Sequence, residues 1–215
     1  MKHATFRPRF GHSLLLLALG GTLASSLVQA ADALPTIQQQ WAHCQYQETG
    51  KAKESCLETL SAQAEQASAK EAFRTDLLIW SAIVKSTWAG AKGGLGALSL
   101  VKEAKAKLEI AIKQDPKALE GSAYTSLGSL YYQVPGWPVG FGDDDKAEQL
   151  LKQALAINPT GIDPNFFYGD FLLDQGDKAQ AKIYLDKALA APARPGREAA
   201  DEGRRTEIRE RLAKL

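Results

Sequence analysis

The pattern Ala147-x3-Leu151-x2-Ala154-x4-Pro159 decides the fold. It returns 34 residues later as Ala181-x3-Leu185-x2-Ala188, and an earlier copy stands at Ala104-x3-Leu108-x2-Ala111-x4-Pro116. Spacings of three and four put these residues on one helical face. Alanine there lets a partner helix approach closely, and the leucine between fills the gap. Ahead of the copies lie Tyr124-x2-Leu127-Gly128-x2-Tyr131 and Tyr168-Gly169-x2-Leu172, which place a glycine where the second helix of a hairpin would cross the first.

Outward from this unit, helical spacing alternates with short breaks. Ile37–Tyr46 and Ser55–Ala69 flank the turn at Gly50. Glu71–Ala89 is apolar around much of its circumference, through Phe73, Leu77, Trp80, Ile83 and Trp88, so it must be covered on most sides. Gly93-Gly94-Leu95-Gly96 breaks it. Without a Gly-Lys-Ser/Thr ending or a preceding strand this is a helix-breaking turn, not a phosphate loop. Further helices are expected over Leu98–Gln114, Leu119–Tyr132, Asp143–Asn158, Phe166–Asp174 and Lys178–Ala191, stopped in turn by Pro116, Pro135, Pro159 and Pro192. No stretch sustains strand alternation, and the expected class is all-α.

The 34-residue unit resembles the tetratricopeptide repeat superfamily, whose pattern is Trp-x2-Leu-Gly-x2-Tyr followed by Ala, Phe, Ala and Pro. The resemblance runs from Tyr124 to Ala188, is partial over Ala104–Pro116 and weak before that. Tyr124 and Asn165 stand in place of Trp, and Leu108, Leu151 and Leu185 in place of Phe. It implies an α-α superhelix of about four hairpins whose concave face binds a protein or peptide partner. Counting from Gly128 and Gly169, that groove would be faced by Tyr132, Gln133, Phe166, Asp170, Leu173 and Asp174, with Trp80 and Trp88 either joining it or packing in the core. A narrower resemblance, over Leu119–Ala188, is to the periplasmic T-component accessory proteins of TRAP-type solute transporters. It implies a small-molecule-binding accessory protein of a transporter.

The spacing from Gly128 to Ala147 is seven residues longer than from Gly169 to Ala181. The surplus is an inserted loop, 134–142, in which Pro135, Pro138, Gly136, Gly140 and Gly142 hold Trp137 and Phe141 on a stiff backbone. Two readings of these rings stay open: they fill the array's own interior, or they form a lid over the groove with a small apolar ligand beneath. Asp143-Asp144-Asp145 then opens a helix, where carboxylates cap free N–H groups.

The organisation expected is therefore a leader over 1–30, a disulfide-linked hairpin over 31–70, a repeat array over 71–192 and a capping helix over 193–215. The leader reading rests on Lys2, Arg7 and Arg9, the apolar run Leu14–Val28, and small residues at Val28 and Ala30, after which cleavage is expected. The expected location is periplasmic. The formal charge is +1, and −2 without the leader's three cations, which leaves no footprint for nucleic acid or an anionic membrane. Cys44 and Cys56 are the only cysteines, and their even count in an oxidising compartment predicts a disulfide. With His43 they fall short of a closed zinc shell, so neither metal nor cofactor is implied. His43 is also the sole histidine beyond the leader. A carboxylate pair one turn apart, Asp170 and Asp174, reads as a solvated groove face, and the chain reads as a binding protein, not an enzyme. The tail from Arg197 interleaves arginines with acids around Ala200, Ile208, Leu212 and Leu215, the pattern of a polar-backed cap.

Overall fold

The structure, a computed structural model, describes Met1 and residues 32–215; the expected leader lies outside the described residues. Those residues form α1 (Ala33–Tyr46), α2 (Gly50–Lys70), α3 (Thr75–Lys92), α4 (Gly94–Gln114), α5 (Ser122–Gln133), α6 (Asp144–Ile157), α7 (Ile162–Asp174), α8 (Lys178–Leu189) and α9 (Glu198–Leu212), with a single 3-10 turn at Ala118–Gly121 before α5. No strand occurs among them. The architecture is the all-α helical-hairpin superhelix that the repeat implies.

Each repeat position does the packing its spacing predicts. Ala104, Leu108, Ala111, Ala147, Leu151, Ala154, Ala181, Leu185 and Ala188 are all fully buried. A β-carbon on Gly128 would stand 2.8 Å from the Leu151 side chain, and one on Gly169 would stand 2.9 Å from Leu185. Both glycines are thus where the second helix of a hairpin crosses the first, and even a methyl group must displace the leucine. Asp143 caps α6 through its carboxylate, which accepts the Lys146 N–H at 3.0 Å.

Six helix starts differ from the sequence reading by three or more residues. Helices α1, α2 and α4 open earlier, at Ala33, Gly50 and Gly94, so that Gly93 alone of the glycine-rich stretch separates α3 from α4. Helix α7 begins at Ile162, not Phe166, because Pro164 sits in its first turn, where the missing N–H has no intrahelical partner to lose. Asn165, fully buried, fixes that start by donating to the carbonyls of Pro159 and Gly161 at 2.9 and 2.8 Å. Helix α3 begins at Thr75, so Phe73 lies in the α2–α3 turn and is wholly exposed instead of packed. Helix α5 begins at Ser122, after a turn in which Leu119 and Glu120 take left-handed backbone angles.

The Cys44–Cys56 disulfide joins α1 to α2 across the Gly50 turn. Lys85, in the middle of α3, is buried yet paired with Glu65 of α2 at 3.1 Å and Glu103 of α4 at 2.6 Å, which ties three helices together. The main apolar cluster runs through α3–α8. A second gathers Ile37, Trp41, Leu57, Leu77 and Trp80 with Ala200 of α9, and a third joins Phe166 and Leu185 to Ile208 of α9.

The C-terminal helix therefore does more than cap the array. It packs on α7 and α8 and also on α1, while the first helices of the hairpins pack in the order α1, α3, α5, α7. The concave side is consequently closed into a ring, α1–α3–α5–α7–α9 and back to α1, where an open trough was expected. The closing contact is tight: a β-carbon on Gly203 of α9 would stand 2.4 Å from the ring of Tyr46 in α1.

Candidate functional site

Inside this ring lies a basin of about 950 Å³, with walls drawn from all five inner helices. Its apolar lining includes Trp41, Trp80, Ile83, Leu119, Phe166 and Phe167. Thr87, Thr125, Ser126, Ser129 and Gln133 supply hydroxyls and an amide. At its edge Leu119 and Glu120 hold φ of 48° and 55°, a strained conformation for residues with a β-carbon. Glu120 is anchored there by Asn158, whose Nδ2 donates to it at 2.8 Å.

One wall is charged. Asp163, at the start of α7, accepts from Arg194 at 2.7 Å and Arg204 at 2.9 Å. Burial works to raise its pKa, but the two guanidiniums outweigh that and hold it at about 2. Arg204 also donates to Glu207 and stacks over Phe166 and Phe167 at 4.4 and 4.7 Å. Arg194 bonds the buried Asp201 through its side chain at 2.7 Å and its backbone N–H at 2.8 Å. Tyr46 of α1 donates to Glu207 at 3.4 Å, and burial pushes its hydroxyl well above the ordinary tyrosine range. This network fastens the loop before α9, and α9 itself, onto α7 and α1.

Arg197 completes the wall. Its guanidinium lies 4.8 Å above the Trp80 ring, and burial, with Arg194 beside it, pulls its pKa below the arginine value. Trp80 meets Trp41 edge-to-face at 5.6 Å. The Trp41 indole N–H donates to Thr87 at 3.0 Å.

Of the residues predicted from sequence to face the groove, Gln133, Phe166 and Asp170 line the basin. Tyr132 stands just behind: its hydroxyl donates to Asp170 at 2.9 Å, and burial raises its pKa well above the usual value. Asp170 accepts from Arg211 of α9 as well, so it is a closing residue of the ring instead of a solvated one. Leu173 packs against the main core and Asp174 is exposed, both off the basin. Trp80 lines it and Trp88 does not.

The lid reading of the inserted loop does not match its position, because neither Trp137 nor Phe141 reaches the basin wall. Phe141 packs edge-to-face on Tyr131 at 5.5 Å, with Lys105 5.7 Å from its ring. The loop closes on itself through Gly142 N–H to the Pro135 carbonyl and Asp143 N–H to Tyr131. Trp137 is 90% exposed at its tip. His43 is also remote, its ring nitrogens facing Gln47 at 2.8 Å and Glu48 at 3.2 Å. Sequence reasoning missed Arg194, Arg197, Arg204 and Asp163 as basin residues; the available signal was the density of arginines after Pro192, which alternation with acids disguised as a solvated face.

No curated protein matches the chain. Residues 140–200, which span α6, α7, α8 and the start of α9, match the family described as Tetratricopeptide repeat. That match supports the tetratricopeptide reading for the hairpins within residues 140–200.

Proposed function

We propose that this is an exported interaction protein that holds a short segment of a partner, or a compact ligand, inside its closed ring. Tetratricopeptide repeats point to an interaction role. The observation that carries the reading is the basin itself: about 950 Å³, lined by mixed apolar and hydrogen-bonding groups and ringed by α1, α3, α5, α7 and α9. That size suits a compact ligand or the end of a chain. A long peptide lying along an open groove has no place in it. The Cys44–Cys56 bond and the leader-like first thirty residues support export to the periplasm.

A second reading, a small-molecule-binding accessory protein of a solute transporter, is favoured by the ring of helices around the basin. In that case the ligand sits among Trp80, Trp41 and Phe166 and not under the Trp137/Phe141 loop. One experiment addresses both. Periplasmic capture and native mass spectrometry are run on wild type, on Ser126→Trp, which projects an indole into the basin, and on Trp137→Ala, which strips the loop tip. Loss of the bound species only in Ser126→Trp is the expected result, and loss only in Trp137→Ala would move recognition to the outer loop.

A further inference from the structure

We infer that Arg197 is the anion-receiving group of the basin and that its ligand is a monocarboxylate with an apolar body; this rests on the basin's being the binding site. The guanidiniums around it differ from it in one respect. Arg194 is bonded to Asp163 and Asp201, Arg204 to Asp163 and Glu207, and Arg211 to Asp170. The Arg197 guanidinium, by contrast, donates to no group among the described residues, and its Nε is shut off from solvent with no acceptor. A guanidinium carries five N–H donors in a planar fork; at Arg197 the Nε–H is the one buried without an acceptor, and such a donor is costly to leave unmatched. Asp163 and Asp201 favour its charge through space, but they accept their hydrogen bonds from Arg194 and Arg204, and Glu207 accepts from Arg204 and Tyr46; none accepts from Arg197.

The surroundings narrow the ligand. A carboxylate matches the guanidinium fork in shape and charge. A single negative charge is enough, because Arg194, Arg204 and Arg211 on the same lining are each paired with Asp163, Asp170 or Glu207, which leaves Arg197 as the guanidinium without a carboxylate bond among the described residues. The wall beside the head group is aromatic: Trp80 lies under the guanidinium, with Trp41 against it. An aliphatic or aromatic body therefore extends along the indoles, toward Ile83 and Leu119. Two sources share this chemistry, a free organic acid and the carboxyl terminus of a partner chain.

The test uses the protein with its leader removed and its disulfide intact. Calorimetry and tryptophan fluorescence are followed with phenylacetate, with the neutral phenylacetamide, and with one apolar-ended peptide bearing either a free or an amidated C-terminus. The expected result is that the acids bind about tenfold or more tightly than their amides, and that Arg197→Gln removes this difference while Arg197→Lys keeps part of it. Preference for phenylacetate identifies a free acid as the source; preference for the acid-ended peptide identifies a chain end. Equal binding of acid and amide by wild type overturns the inference whatever the folding of the variants, as does absence of binding by every carboxylate at millimolar concentration. If Ser126→Trp abolishes acid and amide binding alike while Arg197→Gln changes neither, the basin reading stands and only the anion assignment falls. If Ser126→Trp also leaves binding untouched, both fall.

Discussion

Two seams hold this ring, and they are built from different chemistry. Between the two helices of the repeated hairpins the seam is apolar and small: Gly128 under Leu151, Gly169 under Leu185, with alanines on either side. Where α9 meets α1 and α7 the seam is charged and aromatic, through Arg194, Arg204, Asp163, Glu207 and Tyr46, with Arg211 on Asp170. Apolar packing is insensitive to pH and salt, whereas partly buried ion pairs depend on each partner's charge. The repeat seam is therefore the permanent part of the fold, and the closing seam is the part that conditions can loosen.

Five variants and one titration set the two against each other. The largest effect is expected from Asp163→Ala, which takes the shared carboxylate from Arg194 and Arg204 and leaves them Asp201 and Glu207 alone; it costs about 3 kcal/mol, measured by denaturant unfolding. Removing the Cys44–Cys56 bond by paired serines costs about 3 kcal/mol or slightly less on the loop-entropy estimate. It should loosen α1, and through it the closing seam, before the repeat seam, as read by hydrogen exchange in α1 and α9. Gly169→Ala and Gly203→Ala are matched wedges, one in each seam, costing about 1–3 kcal/mol each. The first should lower the global unfolding midpoint; the second should chiefly raise exchange in α9 and enlarge the basin. The smallest effect is that of Trp137→Ala, within about 0.5 kcal/mol, because the ring touches neither seam.

The titration follows from Asp163. Its carboxyl titrates at about 2 in the folded protein against about 3.9 in an unfolded chain. Its contribution to stability is thus complete above about pH 4 and is lost as the pH falls through about 2. Exchange in α9 and α1 should rise across that window while α5–α8 stay protected. In Asp163→Asn protein this rise should be absent.

The repeat seam was legible in the sequence because its code is local. Alanine, leucine and glycine at helical spacing state which faces must meet, and all nine of the Ala and Leu positions are buried. The Cys44–Cys56 pair was equally plain from its count and its turn. The closing seam was not legible, because Tyr46 and Glu207 stand 161 residues apart and their contact has no period to reveal it. An arginine among acids looks the same whether it faces water or a buried carboxylate. For Trp137 and Phe141 the sequence left filler and lid both open: Phe141 packs on Tyr131, as a filler does, and Trp137 points outward, as neither reading had it. Of the predicted groove residues, Gln133, Phe166 and Asp170 lie on the basin wall, on the side where counting along helices put them, and the reach of that method ended with the helices it counted.

The contact of Gly203 with Tyr46 has a consequence for how the molecule matures. A chain made from its N-terminus holds an unfinished arc of hairpins until the fifteen residues of α9 arrive. A product clipped before Glu198 keeps the hairpins and their core but has no chamber, since part of the wall has left with the missing segment. The basin is thereby a late feature, completed only in molecules whose α1 and α9 have met.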